Sequence, residues 1–433
     1  MKLTKEEISF ILYDNANSVY ATIMSAVIFP IYFSNAAESA GESGDFWWGI
    51  GTATAAFILA LFAPVIGRIA DFKGWKRRVF GFFVAMGLLA TLYCAVTNDW
   101  RGMLVGYVFS YIGFLGSCLV NDSYLVEVTT PERMDRISSL AYGIGYIGGS
   151  TIPFLAAIAL VLFGENFGVD GTMAVKLSLL ICVLWWGLFS IPMFRNVEQK
   201  HGCDIPQGNL VRNTFNELFT TARKILKFKP MLFFMIAYFL YIDGVNTVIN
   251  MSTSYGATLG LDSTGLIIAL LVTQLVAFPC AILFGRISEK IGSLKMLLAA
   301  ICMYLLICIL GFIMGFGLEE AFLTIPQATT LFFALAILVG TVQGGIQAIS
   351  RSYFGKMVPP AQSGEYFGFF DIFGKFAAFL GPLLYSMTKA ITGRSSLSIF
   401  SIVVLFFGAL VVFYAGRKYL KNNPEPIPAN SNF

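Results

Sequence analysis

The chain has 433 residues, 57% of them hydrophobic and 12% charged, with a formal net charge of +4 and a mean hydropathy of +0.74. A soluble domain carries about 25% charged residues, so this composition excludes a water-covered globular surface. A large soluble core with apolar helices inside it would need long polar segments, which are absent, and charge spread thinly over loops is a membrane orientation signal, not a nucleic-acid footprint.

Apolar runs close to the roughly 20 residues that cross a hydrocarbon core recur twelve times. In chain order the predicted spans are 9–33, 47–70, 79–97, 102–125, 137–163 and 172–194, then 230–252, 264–285, 294–316, 328–350, 364–388 and 396–416. The expected fold class is an all-α polytopic membrane protein with two six-helix bundles, 1–194 and 230–417. A central loop, 195–229, and a tail, 418–433, complete it. Continuous runs, in place of short alternating segments, exclude a β-barrel, and helices satisfy every backbone group within such runs. Around 125–137 and 350–365 the helices are expected to extend into water. Ahead of span 1, Lys5, Glu6 and Glu7 are not followed by a small-x-small cleavage region, so the first helix is expected to stay in the mature protein.

The 2–3 connection carries Arg68, Lys73, Lys76, Arg77 and Arg78 against Asp71. The central segment carries Arg195, Lys200, Arg212, Arg223, Lys224, Lys227 and Lys229, and the tail Arg417, Lys418 and Lys421. The 1–2 loop holds Glu38, Glu42 and Asp45 with no base, and the 9–10 loop Glu319 and Glu320. The positive-inside rule therefore places both termini and the central loop in the cytoplasm. Pro206 and Gly208 mark that loop as a tether, and Phe215–Phe228 can form an amphipathic helix lying at the interface.

Two internal echoes follow. Gly67-Arg68-Ile69-Ala70-Asp71 is matched by Gly285-Arg286-Ile287-Ser288-Glu289, with bases after both. The glycine permits close helix approach, and the acid and bases can pair among neighbouring helix ends. The second echo is Asp14, Asn17, Ser18 and Val19 in span 1 against Asp243, Asn246, Thr247 and Val248 in span 7, with Asn250 extending the latter face. At spacings of three and four these polar groups share a helix face, which should look into a cavity or a structural network, because lipid exposure is costly. Asp14 lies only about a turn and a half inside the predicted span 1, whereas Asp243 lies near the middle of span 7.

Asp371 and Lys375 stand at i and i+4 on span 11 and either neutralise one another or divide the recognition of a solute's two charges. Gln343, Gln347 and Arg351 form a stripe on span 10, with Arg351 near the cytoplasmic boundary. Around the 4–5 connection Asn121, Asp122, Glu127, Glu132, Arg133, Asp135 and Arg136 bring both signs together, and Arg133 or Arg136 is expected to pair with these acids. Gly143-Ile144-Gly145-Tyr146-Ile147-Gly148-Gly149 supplies small surfaces for tight helix crossing. Trp47 and Trp48 read as an interfacial belt. The seven cysteines contain no C-x-x-C pair, no phosphate-binding loop is present, and His201 is given no ligand or relay role. No cofactor and no metal are expected.

The run Gly67 to Arg78, with Gly67, Asp71 and Gly74 at matching places, and the six-plus-six arrangement resemble the major facilitator superfamily. Tyr13-Asp14-Asn15-Ala16-Asn17, Gly145 to Gly149, Gln347-Ala348-Ile349-Ser350-Arg351 and Phe367 to Lys375 resemble its vacuolar amino-acid effluxer branch and bacterial permease relatives, although Asn15 stands where the branch more often has Trp. The resemblance implies a twelve-helix major facilitator fold and a secondary transporter of a small polar organic solute such as an amino acid, by alternating access and with proton coupling among the options. The implied setting is a bacterial inner membrane, with a monomer as the functional unit, membrane lipids as surroundings and no nucleic-acid partner. Solute or proton binding falls to Asp14, Asn17, Asp243, Asn246, Thr247, Asn250, Asp371 and Lys375. Gating falls to Gly67, Asp71, Gly74, Arg77, Arg133, Arg136, Arg286, Glu289 and Arg351. A nontransporting scaffold or solute sensor, and a membrane-embedded enzyme, are the other classes weighed; polar faces on several helices favour a cavity, and no catalytic constellation stands out.

Overall fold

A computed structural model describes residues 2–206, 210–377 and 380–427; Gly208 and the last residues of the tail lie outside them. Among the described residues twelve helices are long and apolar enough to cross a membrane. Spans 1 to 6 are Lys5–Ser39, Gly44–Ala70, Lys76–Val96, Trp100–Val128, Met134–Phe167 and Gly171–Asn196. Spans 7 to 12 are Lys229–Thr258, Thr264–Ile291, Ser293–Glu319, Ile325–Met357, Pro360–Thr392 and Ser395–Ala415. The all-α, twelve-helix expectation is met, and helices 4, 5, 10 and 11 run past their apolar segments. Between spans 6 and 7 lies a linker helix, Leu210–Lys227.

Span 1 starts four residues before its apolar run. Thr4 accepts from the Glu7 backbone N–H, and the Glu7 carboxylate accepts from the Thr4 N–H, a capping box that satisfies two amides no helical carbonyl can reach. Asp14 is therefore nine residues from the helix start at Lys5 and Asp243 fourteen from Lys229, depths of about 14 and 21 Å at 1.5 Å per residue. Two spans contain π segments, Ala21–Ala26 in span 1 and Gly145–Thr151 in span 5. The wider turns cost hydrogen-bond geometry and often mark functional sites.

The chain divides into two compact units: Met1–Thr130, Ile144–Thr220 and Pro359–Asp371 in the first, and Pro131–Gly143, Thr221–Val358 and Ile372–Phe433 in the second. The first thus contains the start of span 11, and the second the start of span 5. In the first unit Trp186 is fully buried, and a Cβ on Gly87 would strike its ring. Tyr20 stacks on Phe114 at 4.5 Å and sets its edge to Trp186 at 5.6 Å. Trp48 packs on Tyr107 with ring centroids 4.2 Å apart, so it is anchored in the helix packing as well as standing at a span end. In the second unit Tyr304 stacks on Phe406 at 5.2 Å, and Tyr241 and Ser350 share a hydrogen bond of 2.6 Å. Exposed Phe57, Leu61, Phe82, Leu89, Leu184 and Leu188 are the outward apolar surface expected of helices solvated by lipid.

Candidate functional site

In the first unit the 2–3 connection closes on the start of span 11. Gly67 and Gly364 are in backbone contact, and a Cβ on either would strike the other's carbonyl group. That approach brings Asp71 to the helix beginning: its Oδ1 accepts from the Gly364 N–H at 2.7 Å and its Oδ2 from the Glu365 N–H at 2.8 Å. These two amides are orphans of a helix N-terminus, where a carboxylate is favoured by both hydrogen bonding and the helix dipole. Burial nevertheless pushes the Asp71 carboxyl up to about 7, against the pull of Lys76 and of the two amides, while Glu365 adds to the rise.

Lys76 is fully buried. Its Nζ donates to Glu127 Oε1 at 3.0 Å and to Ser363 Oγ at 2.8 Å, and stands 4.0 Å from Asp71. Of the three consecutive bases it is Lys76 that turns inward, whereas Arg77 and Arg78 are exposed. Arg68, also buried, pairs with Glu217 of the linker helix and reaches Glu365 at 3.5 Å and Cys203 Sγ at 3.6 Å.

Over this cluster residues 199–204 form a bonded strap where a solvated tether is expected from the sequence. Lys73 N–H donates to the Cys203 carbonyl at 3.0 Å and Cys203 N–H to the Asp71 carbonyl at 2.8 Å, a single parallel β-bridge. Gln199 Oε1 accepts from Gly74 N–H at 2.9 Å. Gly74 has φ +76°, a left-handed turn that glycine adopts without steric cost. Glu127 Oε2 accepts from the amides of Lys200 and His201 at 2.9 and 3.1 Å and contacts His201 Nδ1 at 3.0 Å. Cys203 donates to the Ala361 carbonyl at 3.1 Å, and burial pushes its thiol up.

The second unit holds a counterpart built from other groups. Asp135, at the start of span 5, accepts from Ser288 and Ser293 at 2.7 Å each and from Ser352 at 2.6 Å. Lys356 Nζ lies 2.9 Å from Oδ1, the oxygen that also accepts from Ser352. Gly285 makes the approach possible, since its Cβ would stand 2.6 Å from that of Ser139. Arg351 donates through Nε to Ser138 Oγ at 2.9 Å and through Nη2 to the Ser138 carbonyl at 3.3 Å, with its guanidinium 4.6 Å from the Tyr142 ring centre. Arg286 and Glu289 are exposed, and Arg133 and Arg136 half-buried. The sequence echo therefore keeps the glycine and replaces the acid: Ser288, one residue before Glu289, points to an acid on span 5.

The two polar faces differ. Asp14 in span 1 is buried and accepts from Asn121 Nδ2 of span 4 at 2.9 Å, with Asn17 buried on the same face. Asn15 meets the π segment of span 5, where a Cβ on Gly148 would clash with its Oδ1 and one on Gly149 with its carbonyl. In span 7 Asp243 is fully buried. Its Oδ1 accepts from the Gly381 N–H at 3.0 Å, and among the described residues its Oδ2 has no hydrogen-bond partner. Gly381 belongs to Leu380–Thr392, the second half of a span 11 whose first half ends at Phe376. Thr247 donates to the Asp243 carbonyl at 2.7 Å, and its Oγ1 occupies the place of a Gly381 Cβ. Asn246 is half-buried and Asn250 exposed, so the face splits into a buried and an accessible side; Asp371 and Lys375 are half-buried on the first half of span 11. A cavity of about 90 Å³, lined by Ser252, Thr253, Gln274, Cys308, Phe332 and Gln343 among others, lies beyond this face in the second unit.

Residues 50–417 match the family model described as vacuole effluxer Atg22 like. The chain is 41% identical to an uncharacterised MFS-type transporter, YxiO, of Bacillus subtilis, over 95% of this chain and 94% of that one. It is 27% identical to autophagy-related protein 22-2 of Aspergillus clavatus over 63% of this chain and 46% of that one, so it spans about half the length of this fungal relative. Among solved structures, the major facilitator transporter FucP in an outward conformation superposes with a TM-score of 0.69 at 13% identity, covering 96% of this chain and 100% of that one. The human organic anion transporter MFSD10 gives 0.68 at 13% identity, covering 94% and 98%. At that identity the likeness is one of fold.

Proposed function

The chain belongs to the vacuole effluxer Atg22-like family of MFS-type transporters, and from that premise we propose that it carries an amino acid or a related compound across a bacterial inner membrane in exchange with protons. It is a secondary transporter of a small polar solute, working by alternating access, and not an enzyme. A monomer with both termini in the cytoplasm is the unit of this reading.

Asp243 carries the proposal. A carboxylate oxygen with no hydrogen-bond partner among the described residues, fully buried in the middle of a membrane helix, is costly to keep ionised and unmatched. An ammonium group or a proton relieves that cost, and these are what an amino-acid carrier with proton coupling moves. Thr247 fixes the site from within, Asn246 and Asn250 offer amides on the accessible side, and Lys375, set by Asp371, is assigned the solute carboxylate. Asp14 and Asn17 are assigned solute or proton binding on span 1. Gating is assigned to Gly67, Asp71, Gly74 and Arg77 within one unit and to Arg133, Arg136, Arg286, Glu289 and Arg351 within the other.

The test is a screen of amino acids and related solutes with purified protein in liposomes, with and without an imposed pH gradient. Flux of at least one amino acid, accelerated by the gradient, is expected. With Asp243→Asn, gradient-driven flux should fall at least tenfold. Gradient-driven flux unchanged by that substitution would remove Asp243 from the role, and absence of flux for every amino acid would remove the solute class.

A further inference from the structure

The linker helix Leu210–Lys227 has three faces. Thr214, Leu218, Thr221 and Ile225 are buried. Next to them around the helix run Phe215, Phe219 and Leu226, each about 60% exposed, at spacings of four and seven that stack side chains on one stripe. Beyond that stripe the exposed residues are polar, with Asn216, Thr220, Arg223 and Lys227. A helix buried on one side, apolar and exposed on the second and basic on the third is shaped for three media at once: protein, acyl chains and the headgroup layer. Its position agrees, because only Phe228 separates it from Lys229, the first residue of a membrane span. The occupant the charges select is an anionic lipid surface.

We propose that the linker helix seats on the anionic bilayer surface, with Phe215, Phe219 and Leu226 in the acyl boundary and Arg223 and Lys227 on lipid phosphates, and that this seating holds the gate closed through Glu217. Glu217, on the same helix, pairs with Arg68. Arg68 in turn grips Glu365, at the start of span 11, and Cys203 of the strap. A helix fixed to the membrane thereby fixes the guanidinium that ties span 2 to span 11. The gating part rests on the transporter reading; the seating part does not, and neither readout below needs a solute.

The full-length protein would be placed in vesicles of phosphatidylcholine alone or with phosphatidylglycerol. In a background with the seven native cysteines replaced by serine, nitroxide labels on Phe219→Cys and Thr220→Cys report depth. The first should be reached by oxygen in preference to a water-soluble nickel chelate, and the second should show the reverse. A label at position 219 in water would overturn the seating and leave the stripe to a soluble partner. In the protein with its native cysteines, hydrogen exchange of the Gly364 and Glu365 amides should slow at least threefold when phosphatidylglycerol is added. Arg223→Gln with Lys227→Gln should abolish that slowing. Glu217→Gln should abolish it without moving the label at 219, and Glu217→Asp should restore part of it. Exchange indifferent to phosphatidylglycerol, or a lipid effect that survives Glu217→Gln, would overturn the link to the gate.

Discussion

Replacing Asp71 by Asn removes one of the two oxygens that accept the Gly364 and Glu365 amides and turns an N–H donor toward one of them. Leaving a buried donor without an acceptor costs about 1–3 kcal/mol, which is about 5- to 150-fold in the population of the closed clamp. The native clamp should also depend on pH. In the open arrangement Asp71 meets water and titrates near 4; closed, burial raises it to about 7 against Lys76 and the amides. The remaining charged or titratable groups around it are Arg68, Glu127, Glu365 and Cys203. A carboxyl whose closed value is the higher one favours closing most below pH 4 and loses that contribution as pH rises through 7. Three units are about 4 kcal/mol in full, and between pH 8 and pH 5.5 the closed population should grow about 30-fold. Hydrogen exchange of the Gly364 and Glu365 amides, corrected for intrinsic rates, measures it. The native protein should gain protection as pH falls, and Asp71→Asn should be less protected at every pH and flat. Native protection that is flat or rises with pH, or an Asn variant with the native slope, would refute the reasoning.

Gly364→Ala places a methyl against the Gly67 carbonyl, so the amides of positions 364 and 365 should exchange at least tenfold faster while helix content by circular dichroism is unchanged. Lys76→Met removes the ammonium partner of Glu127, and Glu127→Gln the nearest carboxylate of Lys76; each should cost about 3–5 kcal/mol in urea unfolding, while the double variant, with neither member of that pair left behind, should cost less than the sum. In the second unit Asp135→Asn leaves Lys356 without its carboxylate. It should speed exchange at the start of span 5 and leave the Gly364 amide untouched, because that clamp belongs to the other unit.

The twelve spans were legible because bilayer thickness writes itself into run length. What hydropathy could not carry was lost. The start of span 1 was hidden by Lys5, Glu6 and Glu7, although Thr4-x-x-Glu7 is itself a helix-start signal. The π segments leave hydropathy unchanged and so left no trace. That Lys76 and not Arg77 is buried depends on where one helix turn points among three adjacent bases. The strap rests on Gln199 and Cys203 meeting residues more than 100 positions earlier, which no local pattern encodes. The helical segment Leu380–Thr392 did have a start signal: Gly381 is followed by Pro382, and proline favours the first turn of a helix. Asp243 stood out from the start, as an acid in mid-span, but its amide partner did not.

The two clamps solve one problem with different chemistry, and the difference has a mechanical consequence. Asp71 is held by backbone amides, so no side-chain choice on span 11 is needed beyond a glycine that lets the helix start come close. Asp135 is held by three hydroxyls and an ammonium group, all of them side chains that can turn away one at a time. The first clamp must therefore let go as a unit, when the helix start itself withdraws, whereas the second can loosen in steps. Segments 359–371 and 131–143 pack with the first and second unit respectively, and in the proposed cycle each leaves its unit. Among the described residues the strap adds its bonds to the first. The all-or-none clamp is also the one that the strap locks, so the sequence of opening should run from Asp135 to Asp71. Exchange at the start of span 5 should then precede exchange at the Gly364 amide whenever solute is added, and the reverse order would put the lock on the wrong side of the cycle.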